Sequence, residues 1–163
     1  MIPMPRHGSP RFLPLLLLMA LALAWAGPLP APESAVAWHP HDEGLRLAQE
    51  RGLPLALYFF GKACRQCKLL EQKVLARPEI AAYLNSRLVP VKISFDEENE
   101  LVRRYRVVGP PTFYFMTPEA KPIDYLIGYV GPEKFSCVIH YIGEGKYQTT
   151  SYREFEKQCE EEK

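Results

Sequence analysis

Neither sign of charge is in excess in this chain. Its 163 residues set 20 Lys and Arg against 19 Asp and Glu, for a formal net charge of +1. A nucleic-acid binder normally carries a clear basic surplus, so that class is set aside. Cysteine is scarce too. Four Cys cannot staple a chain of this length as a disulfide scaffold, but they suffice for one chemical pair and one other. No internal repeat is present, and the one biased tract is Pro-rich. No apolar run reaches the ~20 residues that a membrane-spanning helix needs. With 47% hydrophobic and 24% charged residues, the composition is that of a globular, single-domain protein rather than a disordered one.

Proline is the exception. There are 16, and eight fall in the first 40 residues, so the averages mix two different segments. Residues 1–26 read MIPMPRHGSPRFLPLLLLMALALAWA. Arg6 and Arg11 make a positive start, and no acid precedes Glu33. The apolar run Phe12 to Ala26 covers 15 residues, is broken only by Pro14, and ends in the small-x-small pattern Ala24-Trp25-Ala26. This reads as a cleaved export signal in preference to an uncleaved anchor. No Cys lies near the cleavage point, so no lipid anchor is indicated. Cleavage would remove two Arg and no acid, moving the net charge from +1 to −1. Residues 27–37, with Pro28, Pro30 and Pro32 among small residues, read as a tether unable to bury a core. Export to the periplasm would place the cysteines in an oxidising compartment.

Structured sequence is expected from Trp38. Asp42 to Arg51 forms a short helix with Gly52 just past its end. LALYFF (Leu55–Phe60) is a continuous apolar run, too short for a buried helix and suited to a central strand. Gly61 to Ala63 make a turn, and a helical pattern runs from Cys64 to Ala76. Pro78 opens another helix, carrying Ile80, Ala81 and Leu84. LVPVKISF (Leu88–Phe95) alternates as a strand, and Glu97 to Tyr105 is a polar helix. After Gly109-Pro110-Pro111, Thr112 to Met116 is a strand with Ile123 to Val130 as its antiparallel partner. Gly131-Pro132 opens a helix through about Ile142. The alternation predicts an α/β layer with a short antiparallel end. The C-terminal segment 143–163 is an addition. Ser151 and Glu154 have capping-box spacing, and Tyr152, Phe155 and Cys159 share one face of the helix that follows.

Cys64-Arg65-Gln66-Cys67 is the sharpest chemical signal. It follows a buried-type strand and opens a helix. There the unpaired backbone N–H groups and the positive end of the helix dipole favour a thiolate on the first Cys. The thiolate is the attacking form. Cys67, one turn in, can attack the mixed disulfide that Cys64 forms. Lys62, Arg65 and Lys68 flank Cys64, and no acid occurs between Arg51 and Leu70. The expected consequence is a depressed Cys64 pKa, tuned by Lys62 and Arg65. Two other readings use the same residues. Half of a zinc site would need two more ligands from His39, His41, His140, Cys137 and Cys159, none in a recognisable ligand spacing. A merely structural disulfide would close a strained, reactive ring at this spacing.

The second signal is Val108-Gly109-Pro110-Pro111-Thr112, just before an apolar strand. With the CxxC, the order of elements and the leader, it resembles the thioredoxin superfamily over Trp38 to about Ile142. FFGKACRQCKLLEQKVL, RPEIAAYL, VPVKISF and RVVGPPTFYF are closest to the exported branch, the C-terminal domain of the DsbD transporter and SoxW-type periplasmic thioredoxins. The resemblance implies a thioredoxin fold, a central mixed sheet flanked by helices with an appended C-terminal helix. It implies a cis-proline at Pro111 facing the pair, with Gly109, Pro110 and Pro111 as the peptide-docking edge. It also implies a monomeric thiol:disulfide reductase without cofactor or metal. Its partners would be protein disulfides and a membrane electron donor of the DsbD/CcdA type. Three departures stand out. Ala63 replaces the usual Trp before the first Cys, and Tyr58 replaces the usual buried Asp. Arg65-Gln66 matches neither the Gly-Pro of cytosolic reductases nor the Pro-His of strong oxidants. The alternative is a non-catalytic thioredoxin-fold chaperone or metal carrier that uses the CxxC as ligands.

Cys137 and Cys159 remain. Phe135, Val138, Ile139 and Ile142 form the apolar face of their helix, with Cys137 roughly opposite. If the appended helix packs across that outer side, the two sulfurs meet as a disulfide. Otherwise they are two unpaired thiols. His39, His41 and His140 are expected to be solvated or capping.

Overall fold

A computed structural model describes residues 35–161 of the chain. The expected leader at 1–26, and the tether as far as residue 34, lie outside the described residues. The elements are α1 (His41–Arg51), β1 (Leu55–Phe60), α2 (Arg65–Leu70), a π-helical turn (Glu71–Leu75), α3 (Pro78–Arg87), β2 (Val89–Ser94), α4 (Asn99–Arg104), β3 (Thr112–Met116), β4 (Pro122–Ile127), α5 (Pro132–Gly143), a 3₁₀ turn (Lys146–Gln148) and α6 (Tyr152–Glu161). One four-stranded mixed sheet runs in the order β2-β1-β3-β4. β1 is parallel to β2 and antiparallel to β3, and β4 is antiparallel to β3. This is the α/β arrangement expected from the sequence.

β1 explains its own composition. Ala56 and Tyr58 face one core, and Leu55, Leu57 and Phe59 face the other. All five are fully buried, which accounts for the continuous apolar run. β2 keeps the alternation. Val89, Val91 and Ile93 enter the core shared with α1, while Lys92 lies on the opposite side near Trp38, Tyr58 and Phe60. α2, α3, α5 and α6 cover the other face, around Phe113, Phe115 and Phe135. Among the described residues no helix is long and apolar enough to cross a membrane.

Several boundaries differ from expectation for local reasons. The helix after Cys64 does not continue regularly to Ala76; it widens into the π-helical turn at Glu71. β4 stops at Ile127, because Gly128 adopts a left-handed backbone (φ 81°) and gives its N–H to the Pro111 carbonyl at 2.8 Å. Ordered chain begins before Trp38: Asn85 accepts from the Ala37 N–H at 2.8 Å and donates to the Ala35 carbonyl at 2.9 Å. His39 is held in the sheet margin, pairing with Val91. His41 is buried rather than solvated, with Nε2 2.8 Å from the Tyr105 hydroxyl.

The α1–β2 contact depends on one missing side chain. A Cβ at Gly44 would collide with a methyl of Val91, which is fully buried and stiff at χ1. Gly44→Ala gains ~1 kcal/mol of helix propensity but overpacks the core at a cost of ~1–3 kcal/mol. The expected result is a lower thermal midpoint than wild type in a calorimetric scan. A midpoint at or above wild type would show that the strand yields freely.

Candidate active site

β1 ends at Phe60, and the next four residues turn the chain into α2. Cys64 is the N-cap of α2, in extended conformation, and its Sγ accepts the Cys67 backbone N–H at 3.0 Å. The sulfur thus takes the place of the Ser or Asp oxygen that ordinarily caps a helix. Cys64 is partly exposed, whereas Cys67 is only 2% exposed. The two are joined in a disulfide with Cα atoms 5.2 Å apart. One sulfur can be reached from outside and the other only through it, which is the asymmetry needed by an attacking and a resolving thiol.

The Pro110–Pro111 peptide bond is cis. Gly61 brings this loop against the CxxC. A Cβ on Gly61 would lie 3.0 Å from Pro110 Cγ and 3.3 Å from Cys64 Cβ. On the other side, a Cβ on Gly128 would be 3.6 Å from Gln66 Oε1. Gly61 and Gly128 are thus site residues that the sequence reading did not single out. The signal for Gly61 was its place in the turn between strand and CxxC. Gly128 gave none beyond being a glycine inside an apparent strand.

Two observations bear on the expected site. First, Lys62 does not offer a free charge to Cys64. Its ammonium pairs with Glu97, its backbone N–H donates to Asp96 Oδ2 at 2.8 Å, and Glu97 raises its pKa further. These acids lie far along the chain, so the acid-free stretch around the CxxC is not acid-free in space. Arg65 and Lys68 are exposed and make no ion pair among the described residues. Second, the residue before the cis-proline is itself a proline. Pro110 has no N–H, so its own backbone can offer a partner only its carbonyl. The neighbouring carbonyls are occupied: Gly109 accepts from Thr112 Oγ1 at 2.6 Å and Pro111 from Gly128 N at 2.8 Å.

Tyr58, where the sequence departs from its resemblance, is fully buried and stacks on Phe113 with ring centroids 4.8 Å apart. Its hydroxyl lies 3.4 Å from Glu71 Oε1, and Lys92 Nζ reaches the same oxygen at 2.9 Å. Burial first, then the Glu71 carboxylate, hold the Tyr58 hydroxyl far above the ordinary tyrosine pKa, so it stays protonated and is able to donate to Glu71. A carboxylate therefore contacts the residue that stands at the usual Asp position. It comes from the first residue of the π-helical turn and not from β1, one turn beyond Cys67, whose carbonyl accepts the Glu71 N–H.

Cys137 and Cys159 are also disulfide-bonded, with Cα atoms 6.1 Å apart, so all four cysteines are paired. Among the described residues no cluster of three His, Cys, Asp or Glu is placed to hold a metal ion.

A cysteine pair at a helix start, facing a cis-proline loop across a mixed four-stranded sheet, defines a thioredoxin-fold protein with a redox-type CxxC. The thioredoxin-like domain family model matches residues 41–143, and the chain belongs to that family. It is 31% identical over 83 residues to thiol:disulfide interchange protein DsbD 2 of Pseudomonas aeruginosa, covering 49% of this chain and 14% of that protein. It is 37% identical over 73 residues to the chloroplastic thioredoxin-like protein CITRX of Solanum tuberosum, covering 44% of this chain and 39% of that one. The matches thus span well under half the length of these curated relatives. Among solved structures, a thioredoxin from Thermus thermophilus superposes with a TM-score of 0.61 at 34% identity, covering 66% of this chain and 87% of that one. DsbH oxidoreductase superposes with a TM-score of 0.62 at 19% identity, covering 74% and 92%, a likeness of fold alone.

Because Glu97 pairs with the Lys62 ammonium, the helix start and Arg65 are the groups to test as tuners of the thiolate. In the reduced protein, the pH dependence of alkylation should give Cys64 a pKa below the ordinary ~8.5. Arg65→Ala should raise it by up to about half a unit, as one exposed charge nearby allows. Lys62→Ala should move it less. A larger effect from Lys62 would mean that its charge reaches the sulfur despite Glu97.

Proposed function

We propose that the protein is an exported thiol:disulfide oxidoreductase that reduces disulfides of periplasmic proteins. The observation that carries this reading is the partly exposed Cys64 capping α2, with buried Cys67 one turn on and the Pro110–Pro111 loop beside it. Cys64 attacks a substrate disulfide and forms a mixed disulfide, and the first substrate sulfur leaves as thiolate. Cys67 then attacks Cys64, releasing the second substrate sulfur and leaving Cys64–Cys67 oxidised. Two electrons and two protons pass to the substrate. Val108, 80% exposed, with Gly109 and the Pro110 carbonyl, receives the substrate backbone. Export rests on the leader read in residues 1–26. A membrane donor of the DsbD/CcdA type would return the electrons, in keeping with the match to part of DsbD 2.

Cys67 must lose a proton before it attacks. Glu71, one turn on and tied to Lys92 and Tyr58, is the carboxylate we assign to accept it. Glu71→Gln should slow resolution of a Cys64 mixed disulfide by at least about tenfold, toward the ~10²–10⁴-fold range of general bases. It should also change the pH profile of that step, whereas a residue that only packs would leave the profile in place.

The function is tested by insulin reduction with dithiothreitol. Wild type should accelerate it and Cys64→Ser should not. In cells, Cys67→Ala should hold substrates disulfide-linked to Cys64. No acceleration, together with a stoichiometric metal on the purified protein, would sink the oxidoreductase reading in favour of a carrier.

A further inference from the structure

The Cys137–Cys159 bond lies outside the CxxC site and is not buried beneath the fold. It lines an open cleft of about 540 Å³ between α3, α5 and α6, together with Arg77, His140 and Gln158. Cys137 is 7% exposed, while Cys159, on the outer helix, is partly exposed. A thiolate entering the cleft therefore meets Cys159 first.

Apart from this bond, the helix is held mainly by two aromatic side chains on Tyr141. α6 has ten residues, shorter than the ~12–15 below which isolated helices are marginal in water. Phe155 is its one buried residue. Its one ion pair to α5, Glu156 with Lys134 at 3.3 Å, is largely exposed and worth little. Glu160 and Glu161 sit at its C-terminal end with no basic residue in the last turn, opposing the helix dipole. In its favour stand the Ser151–Glu154 capping box, with Ser151 Oγ 2.8 Å from Glu154 Oε2, the packing of Tyr152 and Phe155 on the Tyr141 ring, and the covalent link.

We propose that Cys137–Cys159 is a second thiol–disulfide exchange site, and that its reduction releases α6 from the body of the protein. The reductant is a dithiol. One of its thiolates attacks Cys159 Sγ, forms a mixed disulfide and expels Cys137 as thiolate. Its second thiolate then attacks the mixed disulfide and expels Cys159. The dithiol ends as a disulfide, and Cys137 and Cys159 take up two electrons and, with them, two protons. The site rests on the geometry of α5 and α6 and holds whether or not the CxxC is a reductase.

The test uses the full chain carrying Cys64→Ser and Cys67→Ser, with dithiothreitol as the dithiol. Mass spectrometry follows the gain of two hydrogens on reduction, and hydrogen–deuterium exchange follows the backbone. The expected result is reduction of the pair in the folded protein. Exchange over residues 152–161 should then accelerate at least tenfold, with β1, β2 and β3 unchanged. Cys137→Ser with Cys159→Ser should show the same fast exchange without reductant. Three results would each overturn the proposal: a pair that stays oxidised until the sheet unfolds, a reduced pair with α6 still protected, or loss of protection across the sheet along with α6.

Discussion

β1 is buried on both faces, and the other elements take their positions from it. Leu55, Leu57 and Phe59 on one side and Ala56 and Tyr58 on the other leave no accessible surface. Burying each large side chain of this kind contributes ~1.5–3 kcal/mol. The strand must therefore pair on both edges and be roofed on both faces. β2 and β3 supply the edges. α1 roofs one face, and α2, α3 and α5 the other. The chain can leave this layer only at the strand's end, and there Gly61 to Cys64 turn it into α2. The chemistry sits at the exit from the most rigid element of the fold, so its geometry is inherited from the core.

That location decides how the sulfurs differ. Cys64 occupies a cap position, where a backbone N–H is aimed at its Sγ. Cys67 lies one turn inward, in the hydrophobic layer. The same exit places Gly61 against Pro110, so the cis-proline loop and the CxxC form one surface although 43 residues separate Cys67 from Pro110. Lys92, Glu71 and Tyr58 form a polar group beside the buried ring of Tyr58, and Glu71 follows Cys67 by one turn. Its carboxylate arrives on the helix, and the aromatic ring takes the space on the strand. Lys92 also sits 4.5 Å from the centre of the Phe60 ring, so its charge has partners on both sides.

Much of this was legible in the sequence because it is local. Runs of period two and period near 3.6 gave the strands and helices to within a few residues. Pro78 and Pro132 opened the helices where their missing N–H is harmless. The capping box before α6 formed as its spacing implied. What was not legible is the meeting of distant residues. A window around the CxxC contains Lys62, Arg65 and Lys68 and no acid, yet Asp96 and Glu97 return beside Lys62. His41 stands next to an exposed Asp42 in a charged segment, and is buried because Tyr105, 64 residues on, closes over it. The end of β4 at Gly128 depends on the Pro111 carbonyl, which no count over residues 122–130 contains.

The sequence by itself determined the order of the elements, the two-sided burial of β1 and the placement of a cysteine pair at a helix start. These follow from side-chain periodicity, proline and glycine chemistry and helix-end hydrogen bonding, all of which act within a few residues. The tertiary structure alone decided which acid pairs with Lys62, which carboxylate meets Tyr58, and which group occupies the Pro111 carbonyl. Each of these is a contact between side chains or backbone groups far apart in the chain. Only the packing of the two cores on the sheet brings them within reach of one another.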